Sequence, residues 1–139
     1  MAVKKVDHIA IVVSNIENAL TLYQDVLGLS PELVTEDPVE QVRIAYIPTP
    51  EGMDEIELVE PMTTDSGIAK FLDKRGEGLH HVCVEVECIE ETVEDMTARG
   101  LNVLGQIRTN QRGDRYIFIH PKSAHGVLLE LYERATPQA

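Results

Sequence analysis

Cations are scarce in this chain. Its 139 residues hold 12 Lys and Arg against 24 Asp and Glu, for a formal net charge of −12 and a pI near 4.7. Such a surface repels phosphate backbones and anionic lipid, which argues against nucleic acid or a membrane as the main partner. An anionic small molecule stays compatible, provided the few cations gather locally. Long apolar runs are absent as well, since nothing approaches the roughly 18–20 residues of a membrane span. Lys4 and Lys5 precede an apolar stretch, but Asp7 and His8 interrupt it and it is too short for the core of a signal peptide. Cysteine is limited to Cys83 and Cys88, on one strand and its exit, a poor arrangement for a disulfide. A reducing compartment is therefore expected, the cytoplasm by preference. Cys83 reads as a small buried hydrophobe. The remaining composition, 43% apolar and 26% charged, is that of an ordinary globular chain.

What is present is a repeat. "GLHHVCVEV" (78–86) and "VDHIAIVV" (6–13) both open a strand with histidine. A shift of 73 residues sets His81 on His8 and then continues along the chain. It places Val86 on Val13, Ile89 on Ile16 and Glu90 on Glu17, then Ile117 on Ile44 and Pro121 on Pro48. Last, it sets "LELYE" (129–133) on "IELVE" (56–60), so that Glu130 meets Glu57. One offset held over that span points to internal duplication, and two copies suit a pseudo-symmetric pair better than a solenoid.

Local signals give each copy the same order of elements. Strands are expected over 6–13 and 81–86 from their β-branched content. Ser14 followed by Glu17 predicts a capping box for a helix running to Leu27, with Gly28 as its C-terminal glycine. A second helix is expected from Ile89 to Arg99, stopped by Gly100. Three strands follow each helix, over 32–35, 42–47 and 55–59, then 103–107, 116–120 and 127–132. The fold class is therefore α+β, two βαβββ modules. The chain reads as a single domain 1–139, with module one over 1–62, a connecting helix within 63–77 that ends in a Gly76-Glu77-Gly78 hinge, and module two over 78–139.

Alternation sorts the side chains by face. Ile9, Ile11 and Val13 share one face with the equivalents Val82, Val84 and Val86, and these should lie under the helices. His8 and His81 share the other face with small neighbours, Ala10 and Cys83, which leaves room above the sheet. On the last strand of each module Glu57 and Glu130 oppose Ile56, Leu58, Leu129 and Leu131. A carboxylate in such a strand is costly to bury unless it is paired or binds a metal. Two imidazoles and two carboxylates under one symmetry form a donor set for a divalent ion such as Co, Ni, Mn, Fe or Zn. Glu60 and Glu133 obey the offset with opposite parity and are assigned to solvent. His80 reads as structural, while His120 and His125 are left open.

The βαβββ duplication with its His…Glu…His…Glu order resembles the vicinal oxygen chelate superfamily over nearly the whole chain. Within it, three segments resemble the methylmalonyl-CoA epimerase family. "DEIELVEPMTTDSGIAKFLDKRGEGLHHVCVEV" (54–86) contains the family's IELxEP, IAKFL and GLHH elements. "GLNVL" (100–104) follows the second helix, and "HPKSAHGVLLEL" (120–131) matches the family's HPKSxxGVLxEL ending. The resemblance implies half-open barrels around an ion held by His8, Glu57, His81 and Glu130, with Co(II) expected. It also implies a homodimer and interconversion of the two epimers of methylmalonyl-CoA.

Epimerisation needs an acid/base group on each face of a planar intermediate. The resemblance puts one of these in some members on the third strand, after a QGV motif. Here that segment is "EQVRIAYIP" (40–48), the glycine is missing and the equivalent position is Ile44. Glu57 and Glu130 are therefore assigned as the opposed pair, with Glu40 in reserve. Lys122, Arg112 and Arg115 are the candidates for the phosphates of CoA. The alternatives weighed are lactoylglutathione lyase (glyoxalase I) and a non-catalytic small-molecule binding protein of the same fold. A ring-cleaving dioxygenase, with three protein ligands, fits less well than either.

Overall fold

The computed structural model describes residues 3–52 and 54–135. Two compact units emerge: one runs from His8 to His80, and the other starts at His81 and takes in the chain up to Asp7. Strand β1 (Val3–Val12) thus contributes its second half to the first unit and its first half to the second.

In the 8–80 unit, β1 is followed by helix α1 (Ile16–Leu20), which passes into a π-helical turn over Thr21–Val26. Strands β2 (Leu33–Asp37), β3 (Val42–Pro48) and β4 (Glu55–Pro61) come next, in spatial order β2-β3-β4-β1. β4 runs parallel to β1, and the other pairs are antiparallel. Helix α2 (Gly67–Arg75) is capped by the Ser66 hydroxyl, which accepts from the Ala69 N–H at 3.1 Å. In the second unit β5 (Gly78–Val86), α3 (Ile89–Ala98), β6 (Val103–Thr109), β7 (Arg115–Ile119) and β8 (Leu129–Glu133) give the order β5-β8-β7-β6. Each unit is βαβββ, as the duplication predicts.

The face assignment holds. Val13 and Ile11 pack with Ile16, Ala19, Leu20 and Tyr23 of the helix, together with Ala45, Ile47 and Leu58. Val84 and Val86 do the same with Ile89, Val93 and Met96, over Ile117 and Leu131. On the opposite face Ala10 meets Val42, Ile44, Tyr46 and Val59, and Cys83 meets Tyr116 and Tyr132. Alternation works because successive side chains of a strand point to opposite faces of the sheet.

Three expectations need correction. The offset is not constant. Register pairs Tyr46 with Glu57 and Phe118 with Glu130, so β3 and β7 superpose at 72 residues, with Tyr116 rather than Ile117 on Ile44. The extra residue lies in the first helix: Ile16 and Ile89 are 73 apart, whereas the glycines that end the helices, Gly28 (φ 72°) and Gly100 (φ 81°), are 72 apart. The π-helical turn absorbs it by widening the helix locally. At the helix end the Leu29 N–H reaches back six residues to the Tyr23 carbonyl, whereas Leu101 reaches back five to Met96.

Second, no Ser14 capping box forms. Asn15 is the cap, accepting from the Asn18 N–H at 2.8 Å. The Ser14 N–H and hydroxyl instead donate to Glu77 at 2.8 and 3.1 Å, which anchors the segment expected to act as a hinge.

Third, Glu60 and Glu133 are not left to solvent. Arg43 donates to Glu17 at 3.2 Å and to Glu60 at 3.4 Å, and Glu60 also accepts the Ile16 N–H at 2.8 Å. Arg115 likewise donates to Glu90 at 2.7 Å and to Glu133. In both units, then, one arginine on the third strand ties the start of the helix to the end of the fourth strand. The Arg43 guanidinium offers Glu17 two donors, where the capping box offers a single backbone N–H.

These clamps respond to acid. The hydrogen bond from Arg43 holds the Glu17 carboxyl below its ordinary value of 4.5, and Arg115 does the same for Glu90. The folded groups therefore resist protonation more than the unfolded ones, so their contribution is fully present above 4.5 and is lost as pH falls through the lowered folded values. Urea midpoints measured between about pH 6 and pH 3 are expected to drop, and the Glu17→Gln, Glu90→Gln double variant should flatten that drop. Leu58, fully buried next to Glu57, should lose about 2–5 kcal/mol on Leu58→Ala in the same measurement.

Candidate metal centre

Each unit presents one buried histidine–glutamate pair. In the 8–80 unit, Nδ1 of His8 lies 3.1 Å from Oε2 of Glu57. In the second unit, Nε2 of His81 lies 3.0 Å from Oε1 of Glu130. All four residues are buried, at 1, 6, 7 and 5% exposure in that order.

The strand register explains how the pairs form. β1 and β4 are parallel with Ala10 beside Glu57, and β5 and β8 are parallel with Cys83 beside Glu130. The histidine stands two residues before the small side chain, on the same face. Because Ala10 and Cys83 occupy so little space, each glutamate leans diagonally across them to its imidazole. A larger residue at either position would push the carboxylate away.

The third strand adds a wall. Tyr46 stands directly opposite Glu57 and Phe118 directly opposite Glu130. The edge-on rings of Phe118 and His81 are 5.2 Å apart at their centroids. Tyr46 is 1% exposed and packs with Ala10, Ile44 and Val59. These aromatics escaped the sequence reading because an offset of 73 sets Tyr46 on Ile119; only the offset of 72 sets it on Phe118. Ile44 belongs to the same apolar cluster and brings no proton-transfer group. Glu40 lies in the turn between β2 and β3, where its N–H donates to Asp37 at 3.3 Å.

Each remaining candidate has its own setting. Arg115 donates to Glu90 and to Glu133 and so ties the start of α3 to the end of β8. Lys122 is exposed on a 3-10 turn over Pro121–Ser123. Its N–H donates to His120 Nδ1 at 3.0 Å, which makes His120 the cap of that turn. Arg112 is half-buried in the β6–β7 turn, its N–H donating to Asn110 at 2.9 Å. His80 packs its ring edge-on against Phe71 at 5.0 Å, the structural role expected. His125 takes up a left-handed backbone, φ 56°, in the turn before β8.

Chemically, the donors fit a divalent ion. Mixed imidazole and carboxylate ligands suit borderline first-row metals, and a buried carboxylate needs a positive partner that a neutral imidazole does not supply. The same carboxylates, set against apolar walls, are suited to proton transfer.

A sequence profile of the Glyoxalase/Bleomycin resistance protein/Dioxygenase superfamily matches residues 7–118. The mitochondrial methylmalonyl-CoA epimerase of Mus musculus is 35% identical over 129 residues, covering 91% of this chain and 71% of that protein. An ethylmalonyl-CoA/methylmalonyl-CoA epimerase of Cereibacter sphaeroides is 34% identical over 130 residues, covering 91% and 96%. Among solved structures, a variant of Streptomyces coelicolor methylmalonyl-CoA epimerase in complex with 2-nitronate-propionyl-CoA superposes with a TM-score of 0.89. It is 30% identical and covers 97% of this chain and 100% of that one. On these matches the chain belongs to the glyoxalase/bleomycin resistance/dioxygenase superfamily and, within it, to the methylmalonyl-CoA epimerases.

Proposed function

We infer that this chain is an epimerase that interconverts (2R)- and (2S)-methylmalonyl-CoA. The observation that carries the reading is the twin buried His–Glu pair in a chain of this family. Its relatives are named for that reaction, and a structural neighbour holds an acyl-CoA analogue. The lyase reading is not favoured by any of them.

We propose that residues 1–139 act as one catalytic domain, with His8, Glu57, His81 and Glu130 holding one divalent ion, by preference Co(II). Ni, Mn, Zn and Fe suit the same donors. When bound, the ion would act as a Lewis acid toward the enolate oxygens that develop on deprotonation.

The chain's own residues do the rest. The hydrogen to be moved lies on the carbon between a thioester and a carboxylate, which makes it unusually acidic for a C–H. Glu57 and Glu130, each from one copy of the duplicated module, are the opposed acid/base pair. One carboxylate takes the proton from the α-carbon and the other returns a proton to the opposite face. His8 and His81 orient the two carboxylates, and the Tyr46 and Phe118 walls keep the carboxylates out of bulk water. Ile44 keeps the third strand apolar, which leaves the fourth strands to supply both bases.

Lys122 and Arg112 are assigned to the CoA phosphates. A homodimer is proposed, with exposed Leu22, Val26 and Leu27 on the 8–80 unit offering an apolar face to a second copy. Two cysteines that form no disulfide suit the cytoplasm. Among the described residues, no helix is long and apolar enough to cross a membrane.

In D2O, metal-loaded protein is expected to exchange the α-hydrogen of both epimers and to leave the hemithioacetal of methylglyoxal and glutathione untouched. Ethylmalonyl-CoA, run beside it, sets the acyl preference. Glu57→Gln and Glu130→Gln should each lower exchange about 10²- to 10⁴-fold, the range for losing a positioned acid/base group. Normal exchange in both variants removes the assignment. Lys122→Ala and Arg112→Ala should raise KM while kcat holds, because a remote phosphate contact binds ground state and transition state alike.

A further inference from the structure

A buried ion pair that the proposed chemistry does not use joins β1 to the end of β8. Arg134 Nε donates to Oδ2 of Asp7 at 2.9 Å, with side chains 6 and 0% exposed. A second carboxylate oxygen, Oδ2 of Asp114, lies 3.8 Å from Nη1 of the same guanidinium. Its central carbon sits 5.6 Å from the centroid of the Tyr132 ring.

The contacts spread from there. Oδ1 of Asp114 accepts the Ala135 N–H at 2.9 Å, and the Asp114 N–H donates to Asn110 Oδ1 at 3.1 Å. The Asn110 amide donates in turn to the Tyr132 hydroxyl. One guanidinium therefore gathers β1, the β6–β7 turn and the end of β8 into a single polar cluster.

Burying an Asp–Arg pair is a weak route to stability, because both ions lose their hydration. What such a pair fixes well is geometry. Asp7 is the residue before His8, and Tyr132 is two residues after Glu130 on the same strand. A ligand that must meet an ion has to be held to within about 0.5 Å.

We propose that Arg134 is a positioning residue for the metal centre. Through Asp7 it fixes the backbone from which His8 projects, and through Tyr132 and Asp114 it fixes the strand that carries Glu130. The role rests on the reading of His8, Glu57, His81 and Glu130 as ligands of one ion. It requires arginine rather than any cation: the planar fork can address two carboxylates and stack on a ring, whereas a lysine ammonium is a point charge that reaches one. The internal repeat has no counterpart, because a shift of 73 places Pro61 under Arg134. The device is thus confined to the unit holding His81.

The test compares the full chain, stripped of metal by chelation, with Arg134→Lys, Arg134→Met and a comparison variant, Arg43→Met. The comparison loses an arginine clamp of the other unit. Three quantities are read: the dissociation constant for Co(II) by competition with a chelating dye, the Co(II) d–d absorption spectrum and the urea midpoint. Both Arg134 variants are expected to bind Co(II) about 10- to 100-fold more weakly, the range for losing support behind a metal ligand, with a displaced d–d band. Arg43→Met should lose urea stability while its Co(II) affinity and spectrum stay as in the parent chain.

If Arg134→Met does not fold, Arg134→Lys decides. Parental affinity and spectrum in Arg134→Lys would overturn the inference alone, with the metal reading intact. So would an equal loss of affinity in Arg43→Met, which would make the effect general destabilisation. If the parent chain binds no Co(II), or binds it unchanged after His8→Ala and His81→Ala, the metal reading fails and this inference falls with it.

Discussion

The organising constraint is the cost of taking a carboxylate out of water inside a sheet. Glu57 and Glu130 are buried, and each is met at about 3 Å by an imidazole two residues away from the small side chain it leans across. Everything around the pairs serves that arrangement. Ala10 and Cys83 must stay small, the parallel register of β1 with β4 and of β5 with β8 must not slip, and the opposite faces must be filled. A slip of one residue in either pair of strands would put its histidine and glutamate on opposite faces.

Arginine clamps on the third strands tie the helices to the ends of the fourth strands. Arg43 pairs with Glu60 directly across β3 and β4 while reaching Glu17 at the start of α1, and Arg115 repeats this with Glu133 and Glu90. The clamps lie three residues along the fourth strand from the site glutamates, on the opposite face. They hold strand and helix together on the side away from the buried His–Glu pairs. The duplicated modules thus share a support as well as a buried pair.

The copies differ where the chemistry is asymmetric. Tyr46 and Phe118 are equivalent by register yet differ in polarity, and Ile44 of the 8–80 unit stands at the position that Tyr116 takes in the second unit. The Asp7–Arg134–Asp114 cluster belongs to one unit alone. The differences between the walls are where a preference between the two thioester faces could arise.

Much of this was legible from residue order. Period-two alternation sorted Ile11 and Val13 from His8 and Ala10, and a repeated His and Glu picked out four of the eight buried polar residues described, because both patterns depend on spacing within one strand. The resemblance of 54–86 and 120–131 to epimerases was equally local. What the sequence could not decide was anything that depends on which strand lies opposite which. The one-residue shift between offsets of 73 and 72 is invisible until the π-helical turn is seen to absorb it, so Tyr46 and Phe118 stayed hidden. Glu17 turned from a cap to a clamp because a side chain far away in the chain, Arg43, offered it two donors. Asp7 and Arg134, 127 residues apart, meet only in the folded chain. Local pattern chose the elements and the donors; long-range charge pairing, which no window of sequence contains, chose how they are held.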